Sequence, residues 1–262
     1  MANEEIIFSV FTKPWKSLSI WDLGKLVKDM GFDGIEFPLR EGFQMEPEQA
    51  HLLPKLVQQL ADHGVSICSV ASNLDEKIFA ACAEAGIPLI RIMPEINLND
   101  GYLASEKNIH RYLETLYPLC EKYGIRVGMQ QHYGNYIVDS MGLLHVIENL
   151  KNNYVGVVWD AAHDALAGQQ PELGLDIVWK HLDMIHLKNA FYERTNGPEA
   201  MQAIWKPYFT TGRHGLASWQ RIADYLKSRQ YKGVICLTAE YTNGADVDRF
   251  IQEDISYIKS LF

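Results

Sequence analysis

The chain has 262 residues, with 33 acidic and 24 basic side chains and a formal net charge of −9. Apolar residues make up 47% of it, which is typical of a folded globular protein rather than a disordered one. An acidic chain lacks the excess of Lys and Arg that nucleic-acid binding requires, and no apolar run approaches the roughly 20 residues of a membrane helix. We therefore expect no nucleic-acid partner and no membrane insertion.

The N-terminus and the cysteines indicate a cytoplasmic protein. The chain begins MANEE, an acidic start that does not resemble a signal peptide. The cysteines lie far apart and form no CxxC pair, so we expect reduced thiols in the core rather than disulfides or a metal site. They are Cys68, Cys82, Cys120 and Cys236.

Eight short apolar runs recur along the chain, and each is followed by an amphipathic stretch. The runs are rich in Val, Ile and Leu and mostly continuous, as in strands that are buried on both faces. They cover residues 6–10, 34–37, 65–70, 89–93, 125–130, 155–159, 184–187 and 234–239.

The stretches between the runs carry helix signals. Ser19 with Asp22 and Asn73 with Glu76 are typical of helix starts. Other helices are predicted over residues 46–63, 105–124 and 245–261 and from residues 140, 171 and 218 onward. Glycine stands between a helix end and the next apolar run at four places, where a left-handed residue ends the helix. These are Gly31, Gly64, Gly86 and Gly124.

Eight strand–helix units of one period predict an α/β protein with a single (β/α)₈ TIM barrel over residues 1–262. An open doubly wound sheet is the alternative. One connection is longer than the others: the surplus covers residues 189–217 and holds several aromatic side chains between glycines and prolines. A long connection after a strand is where lids and substrate loops lie, so we expect this insertion to close over the site.

Polar side chains follow the predicted strands at their carboxyl ends, where the active sites of such barrels lie. Alternation places Gln130 and His132 on one face of their strand, and His186 and Lys188 on one face of theirs. The set comprises Glu36, Ser69, Ser72, Glu95, Asn97, Gln130, His132, Asp160, His163, His186, Lys188 and Glu240.

Three of these side chains suit a divalent cation. Asp160, His186 and Glu240 come from three adjacent strands, and two carboxylates with one imidazole suit Mn²⁺, Mg²⁺, Co²⁺ or Zn²⁺. Gln130 offers an amide oxygen as a fourth ligand. Other interpretations stay open: Asp160 as the N-cap of a following helix, and Lys188 as a counter-ion to neighbouring carboxylates.

Several segments together resemble the xylose isomerase-like barrels, the sugar isomerase/epimerase superfamily. The resemblance covers essentially the whole chain, and its motifs occur in order on the predicted strands. They are GFDGIEF at 31–37, WDAAH at 159–163, IHLKN at 185–189, TGRHG at 211–215, Trp219, YKG at 231–233 and Glu240.

The resemblance implies that Asp160, His186 and Glu240 bind the metal ion. The fourth ligand of the family is a Glu on strand five, whose place is taken here by Gln130. In the family this Glu and the Glu of strand eight form the acid/base pair. An amide cannot abstract a proton, so two-base epimerisation through residue 130 is not available. Asn189 replaces a family Asp.

The resemblance predicts a metal-dependent isomerase or epimerase that acts on a small sugar or sugar derivative through an enediolate. Glu240 is the expected base, with His163 and Lys188 as further catalytic residues. We expect substrate contacts from Glu36, His132, Arg213, His214 and Trp15.

Other functions are left open. They are a keto-sugar or keto-inositol dehydratase, a sugar-binding homologue weakened by Gln130, and a DNA-repair endonuclease of the same barrel, which the charge of −9 disfavours. No GxGxxG, GxxxxGK[ST] or GxSxG motif indicates a nucleotide cofactor or a serine nucleophile. Whether the chain forms a homo-oligomer is not predicted.

Overall fold

The computed structural model describes residues 5–262, so the first four residues of the acidic start MANEE lie outside the described residues. Ten strands lie within residues 5–262. They are β1 (Ile7–Phe11), β2 (Gly34–Pro38), β3 (Ser66–Ala71), β4 (Leu89–Ile92), β5 (Arg126–Gln130), β6 (Val155–Asp160), β7 (Leu182–Leu187), β8 (Asn189–Arg194), β9 (Trp205–Thr210) and β10 (Val234–Leu237).

Ten α-helices and four short 3₁₀ turns connect the strands. The helices are α1 (Ile20–Asp29), α2 (Leu53–Ala61), α3 (Glu76–Ala85), α4 (Tyr102–Thr115), α5 (Tyr117–Tyr123), α6 (Ser140–Ile147), α7 (Ala161–Leu166), α8 (Pro171–Val178), α9 (Trp219–Ser228) and α10 (Val247–Lys259). The 3₁₀ turns cover Lys13–Trp15, Pro47–Leu52, Trp179–His181 and Gly244–Asp246.

Eight of the strands form a closed parallel barrel in the order β1-β10-β7-β6-β5-β4-β3-β2. The barrel closes where Ile7 of β1 pairs with Val234 of β10. The predicted (β/α)₈ barrel is therefore confirmed, and the open sheet is excluded. All eight apolar runs of the sequence are barrel strands, displaced by no more than two residues at either end.

The strands bury two different faces. Their outward side chains pack against the helices in one large apolar cluster that includes Val157, Ile185 and Ile235. A smaller cluster fills the inside of the barrel, with Leu89, Val158 and Met184 among its members. Two residues further along each of these strands, on the same inward face, lie Arg91, Asp160 and His186. Because side chains alternate between the two faces of a strand, these polar residues lie next to the inner apolar cluster, on its side toward the carboxyl ends of the strands.

Most of the predicted helix starts and ends agree with the structure. The four helix-ending glycines all have positive φ, between 68° and 90°. Two signals were misplaced. Asp75, not Asn73, occupies the N-cap of α3. The predicted helix 105–124 begins earlier, at Tyr102, and divides into α4 and α5 because Pro118 cannot donate an N–H into the preceding turn.

The insertion contains a β-hairpin that the sequence did not predict. Strands β8 and β9 pair antiparallel from Asn189↔Thr210 to Arg194↔Trp205. Phe209 of β9 exchanges backbone and hydroxyl hydrogen bonds with Thr242 of the loop that follows β10. The hairpin is therefore docked at the carboxyl end of the barrel.

The buried amide of Asn189 fixes the loop that follows the hairpin. Its Nδ2 donates to the carbonyl oxygens of Gly212 (2.8 Å) and Ala217 (2.7 Å). Its Oδ1 accepts from the backbone N–H groups of Ala190 and Ala217. A Cβ at Gly215 would lie 2.1 Å from Oδ1 of Asn189. Only glycine therefore lets the backbone come this close to the amide.

All four cysteines are free and buried, as predicted. Within residues 5–262, none of the helices is long and apolar enough to cross a bilayer.

Candidate active site

The barrel strands deliver charged and polar side chains to one cavity at their carboxyl ends. Its deep part has a volume of about 70 Å³, and a wider outer cleft of about 670 Å³ shares Lys13, His132, Lys188 and Glu240 with it. The deep part is lined by Phe11, Lys13, Arg40, Arg91, Met93, Gln130, His132, His186, Lys188, Thr238 and Glu240.

Arg91 connects strands β2, β4 and β5 beneath this cavity. Its side chain is 2% exposed, and its Nε donates to Oε1 of Glu36 at 2.6 Å. Its Nη1 donates to Oε1 of Gln130 at 2.6 Å. Although burial alone would raise it, the charge of Arg91 lowers the pKa of Glu36 to about 2. Arg91 and Glu36 therefore form a buried ion pair.

Lys188 occupies the opposite side of the cavity. Its Nζ lies 2.9 Å from Oε2 of Glu240, 2.9 Å from Nε2 of His163 and 3.8 Å from Oδ2 of Asp160. Burial would lower the pKa of Lys188, but the charges of Glu240 and Asp160 raise it, so the group is an ammonium ion. Lys13 pairs with the other oxygen of Glu240 at 2.6 Å. Glu240 is thus held between two lysines.

Both oxygens of Asp160 are engaged. Oδ1 accepts from the backbone N–H groups of Ala162 and His163, so Asp160 is the N-cap of α7. Oδ2 accepts from Nε2 of Gln130 at 2.8 Å. Gln130 offers its oxygen to Arg91 and therefore turns its NH₂ group toward Asp160. The helix-capping interpretation of Asp160 and the counter-ion interpretation of Lys188 both describe what is found.

This donor set does not fit a divalent cation. A metal ion among Asp160, His186, Glu240 and Gln130 needs oxygen lone pairs facing it, whereas Gln130 presents N–H groups and Asp160 already accepts three hydrogen bonds. The Lys188 ammonium lies between the two carboxylates and supplies the positive charge there. The sequence-based metal site therefore stays a prediction that metal analysis has to test.

Another group of potential ligands lies deeper in the barrel. Ligand atoms of Glu36, His186 and Cys236 lie within 4.8 Å of one another. Burial raises the pKa of the Cys236 thiol well above its usual range, so this side chain is not a thiolate. Arg91 engages Oε1 of Glu36, whereas Oε2 has no hydrogen-bond partner and lies 3.1 Å from Nε2 of His186.

Two histidines adjoin the Lys188 ammonium and are neutral. Burial and the charge of Lys188 hold the pKa of His163 well below its usual range, and burial lowers that of His132. Nδ1 of His132 lies 2.8 Å from the carbonyl oxygen of Tyr133, so Nδ1 carries the hydrogen. Nε2 of His132 then carries no hydrogen and has a free lone pair. The imidazole ring of His132 lines both parts of the cavity.

The cavity also contains polar atoms without protein partners. Among the described residues, Nδ1 of His186 and Oγ1 of Thr238 are buried and have no hydrogen-bond partner. Buried polar atoms are normally satisfied, so these two are available to a ligand. Ala239, just before Glu240, has a φ of +51°, a left-handed conformation that is costly for a non-glycine residue and that aims Glu240 at the lysines.

Four of the five predicted substrate contacts do not line the cavity. Arg213 and His214 line a separate cleft beside α10, where the Arg213 guanidinium lies 3.7 Å from the ring centre of Tyr257. The indole N–H of Trp15 donates to Asp248 at 2.8 Å on the outside of the barrel. Glu36 is fully buried behind Arg91 and does not line the cavity.

Sequence reasoning missed three cations that line the cavity: Lys13, Arg40 and Arg91. A signal for Arg91 was present, because it interrupts the apolar run 89–93 on the same face as Leu89 and Met93. Arg40 lies three residues after the second run, at the same rim as the other strand ends. Lys13 follows the first run in the same way.

The fold is shared with several enzymes of known structure. The 3-keto-D-glucoside 4-epimerase of E. coli superposes with a TM-score of 0.72 at 14% identity, over 98% of this chain and 100% of that chain. The probable 3-DHS dehydratase of Bacillus anthracis gives 0.72 at 14% identity, over 97% and 98%. The D-psicose 3-epimerase of Clostridium cellulolyticum gives 0.71 at 12% identity, over 97% and 99%.

Sequence comparison identifies the family but no individual relative. No curated protein matches the chain significantly. Residues 25–261, nearly the whole barrel, match the family described as the xylose isomerase-like TIM barrel. The closed parallel barrel agrees with this match in topology and extent. The chain belongs to the xylose isomerase-like TIM barrel family.

Proposed function

We propose that the protein is an enzyme that moves a proton next to the carbonyl group of a small, polyhydroxylated compound. The observation that carries the proposal is that the Lys188 ammonium and the neutral His132, whose Nε2 is free, line the same cavity. The similar structures include two sugar epimerases and a dehydratase, which supports carbonyl chemistry in this cavity. The unpaired polar atoms of His186 and Thr238 suit hydroxyl groups of such a substrate.

The positive side chains account for activation of the substrate. A carbonyl oxygen next to Lys188 and Arg91 faces two cations whose positions are fixed by Glu240, His163 and Glu36. Negative charge develops on this oxygen when the neighbouring carbon loses its proton. Fixed charges in a small cavity stabilise that enolate strongly, because they need not reorganise.

His132 is the base that the geometry supports. The charges of Lys188 and Lys13 overcome the effect of burial and hold the pKa of Glu240 well below its usual range, so this carboxylate is a poor proton acceptor. The neutral Nε2 of His132 accepts a proton at neutral pH. We therefore assign base catalysis to His132, and we assign the positioning of Lys188 to Glu240 and His163.

In the isomerase reaction, His132 takes the proton from the hydroxyl-bearing carbon beside the carbonyl group. The electron pair of that C–H bond forms a carbon–carbon double bond, and the carbonyl electrons move to the oxygen. His132 then returns the proton to the former carbonyl carbon, and the hydroxyl proton passes to the former carbonyl oxygen. Aldose and ketose are exchanged with all atoms and electrons retained.

A dehydratase is the second candidate, and the amide of Gln130 favours it over two-base epimerisation. Gln130 cannot accept a proton, so residue 130 cannot serve as the second base of an epimerase. In dehydration His132 removes the proton, and the enolate re-forms the carbonyl group as the hydroxyl on the next carbon departs. The ammonium of Lys13 lines the same cavity and protonates this hydroxyl, so that it leaves as water.

Proton exchange from deuterated solvent tests the proposal. Chelator-treated and Mn²⁺-, Co²⁺- or Zn²⁺-supplemented protein would be incubated with a panel of aldoses, ketoses and keto-inositols and followed by NMR. We expect deuterium incorporation by the chelator-treated protein, with rearranged product from an isomerase and loss of water from a dehydratase. Lys188→Met should lower the rate by about 10²- to 10³-fold and His132→Gln by at least about 10²-fold.

Lys55→Met is the matched control, because Lys55 is exposed on α2, and its rate should equal that of the wild type. Exchange that appears only with added metal would overturn the assignment of Lys188 and restore the predicted site on Asp160, His186, Glu240 and Gln130. Folded protein without exchange on any compound would contradict the enzyme proposal and favour a sugar-binding homologue.

A further inference from the structure

We infer that the substrate carries an oxyanion, a carboxylate or a phosphate group, and that the guanidinium of Arg40 binds it. The inference rests on the proposed function of the same cavity and narrows its substrate class. Arg40 lies two residues after the end of β2 and lines the deep part of the cavity together with Lys188 and His132.

A hydrogen bond to the end of β3 fixes the position of Arg40. Its Nε donates to the carbonyl oxygen of Ala71, at the end of β3, at 3.2 Å. This bond uses one donor and leaves both terminal nitrogens free of hydrogen bonds within residues 5–262. Two parallel N–H donors of one guanidinium match the two oxygens of a carboxylate or a phosphate.

Arg40 differs from the other cations of the cavity in having no acidic partner. Arg91 is bound to Glu36, and Lys13 and Lys188 are bound to Glu240. No carboxylate of the part of the chain that the structure describes lies within 4.0 Å of the Arg40 guanidinium. Burial and the neighbouring Arg91 lower the pKa of Arg40, as expected for a cation without a partner, yet an arginine stays charged.

The local charge of the cavity is opposite to that of the chain. The chain carries a net charge of −9, but within residues 5–262 the four cavity cations Lys13, Arg40, Arg91 and Lys188 lie within ion-pair distance of three carboxylates only, Glu36, Asp160 and Glu240. Each of these carboxylates already holds a cation or caps a helix. An anionic ligand therefore neutralises an excess positive charge that the protein itself leaves unpaired.

The size of the cavity limits the ligand. Arg40, Lys188 and His132 share a chamber of about 70 Å³, so an oxyanion on Arg40 lies only a few atoms from a carbonyl group at Lys188. Arg213, the anion contact that the sequence suggested, lies in a different cleft. The geometry thus points to a small keto or hydroxy acid, or a short sugar phosphate, as the substrate class.

Binding measurements test the inference without turnover. Calorimetric titration would compare glycerate, inorganic phosphate and uncharged glycerol on the wild type, Arg40→Gln and Arg111→Gln, a control at an exposed position of α4. We expect at least one anion to bind to the wild type and to Arg111→Gln, and glycerol not to bind. Arg40→Gln should lose about tenfold to hundredfold in affinity. The stronger anion identifies carboxylate or phosphate as the natural group.

Equal anion affinity in Arg40→Gln, or no anion binding by the wild type, would overturn the inference. The two proposals fail separately. Anion binding that depends on Arg40, with no proton exchange on any compound, contradicts only the proposed reaction. Proton exchange on neutral sugars by a protein that binds neither anion contradicts only the role of Arg40.

Discussion

The mouth of the barrel and the anchor of the insertion are both buried and polar, yet they are held together differently. At the mouth, Arg91 and Lys188 are paired with Glu36 and Glu240. At the anchor, the neutral amide of Asn189 makes four hydrogen bonds to backbone groups of the loop 211–217 and its neighbour Ala190.

Two buried carboxyl groups show the physical consequence. Burial opposes ionisation in both, but the cation beside Glu36 outweighs it and lowers the pKa to about 2. Asp254 contacts only the backbone N–H of Gly212 and the hydroxyl of Tyr241, and burial raises its pKa to about 7. The carboxylates of the mouth therefore fix cations in position, whereas the groups of the anchor fix the backbone.

Removal of the buried cation at the mouth should have the largest effect. Arg91→Met leaves the fully buried Glu36 without its counter-ion and the buried Gln130 without its donor. We expect the free energy of unfolding to fall by about 3–5 kcal/mol in urea titrations.

Two further variants show whether that loss of stability is due to the unpaired charge. Arg111→Met, at an exposed position, should change stability by less than about 0.5 kcal/mol. Arg91→Met combined with Glu36→Gln should recover part of the loss, because the second change removes the unpaired charge. A double variant no more stable than the single one would show that Arg91 stabilises the barrel by packing rather than by charge.

The sequence predicted the fold and the rim well, because both depend on local patterns. Apolar runs with helix-ending glycines define the barrel, and a polar residue that interrupts or ends such a run lies at its mouth. Gln130, Asp160, His186, Lys188 and Glu240 were all found in this way.

The partners of these residues could not be predicted, because they come from strands far apart in the chain. Lys188 lies between Asp160 and Glu240 only once the barrel has closed. The position of Arg213 depends on a loop path that Asn189 sets through backbone contacts, for which the sequence has no signal. Residue types indicate a metal site, and the pairing adds that the Lys188 ammonium lies beside two of its predicted ligands, Asp160 and Glu240.

A charge introduced at the neutral anchor should have the next largest effect. In Asn189→Asp, the residue of the wider family, an oxygen replaces the donor that bonds to the carbonyl oxygens of Gly212 and Ala217. Acceptors would then face acceptors, and we expect a loss of about 1–3 kcal/mol in the free energy of unfolding. Proteolysis of the loop 211–217 should also accelerate.

Asn99→Asp, at an exposed position, should change neither the free energy of unfolding nor the rate of proteolysis. If Asn189→Asp also left both unchanged, the loop would be held by other contacts.

Per pH unit, the smallest effect is expected from the pH dependence of the anchor. The pKa of Asp254 is about 7 in the folded chain and about 3.9 in an unfolded one. Between these values the folded state holds a proton that the unfolded state has released, so stability falls as the pH rises, by at most about 1.4 kcal/mol per pH unit. Asp254→Asn lacks this proton, so the wild type should lose stability relative to the variant as the pH rises through about 7.

Tyr241→Phe removes a hydrogen bond that lowers the pKa of Asp254 and should move this loss to higher pH. Parallel pH profiles of the wild type and Asp254→Asn would mean that Asp254 is ionised throughout, and that the anchor, like the mouth, depends on a charge.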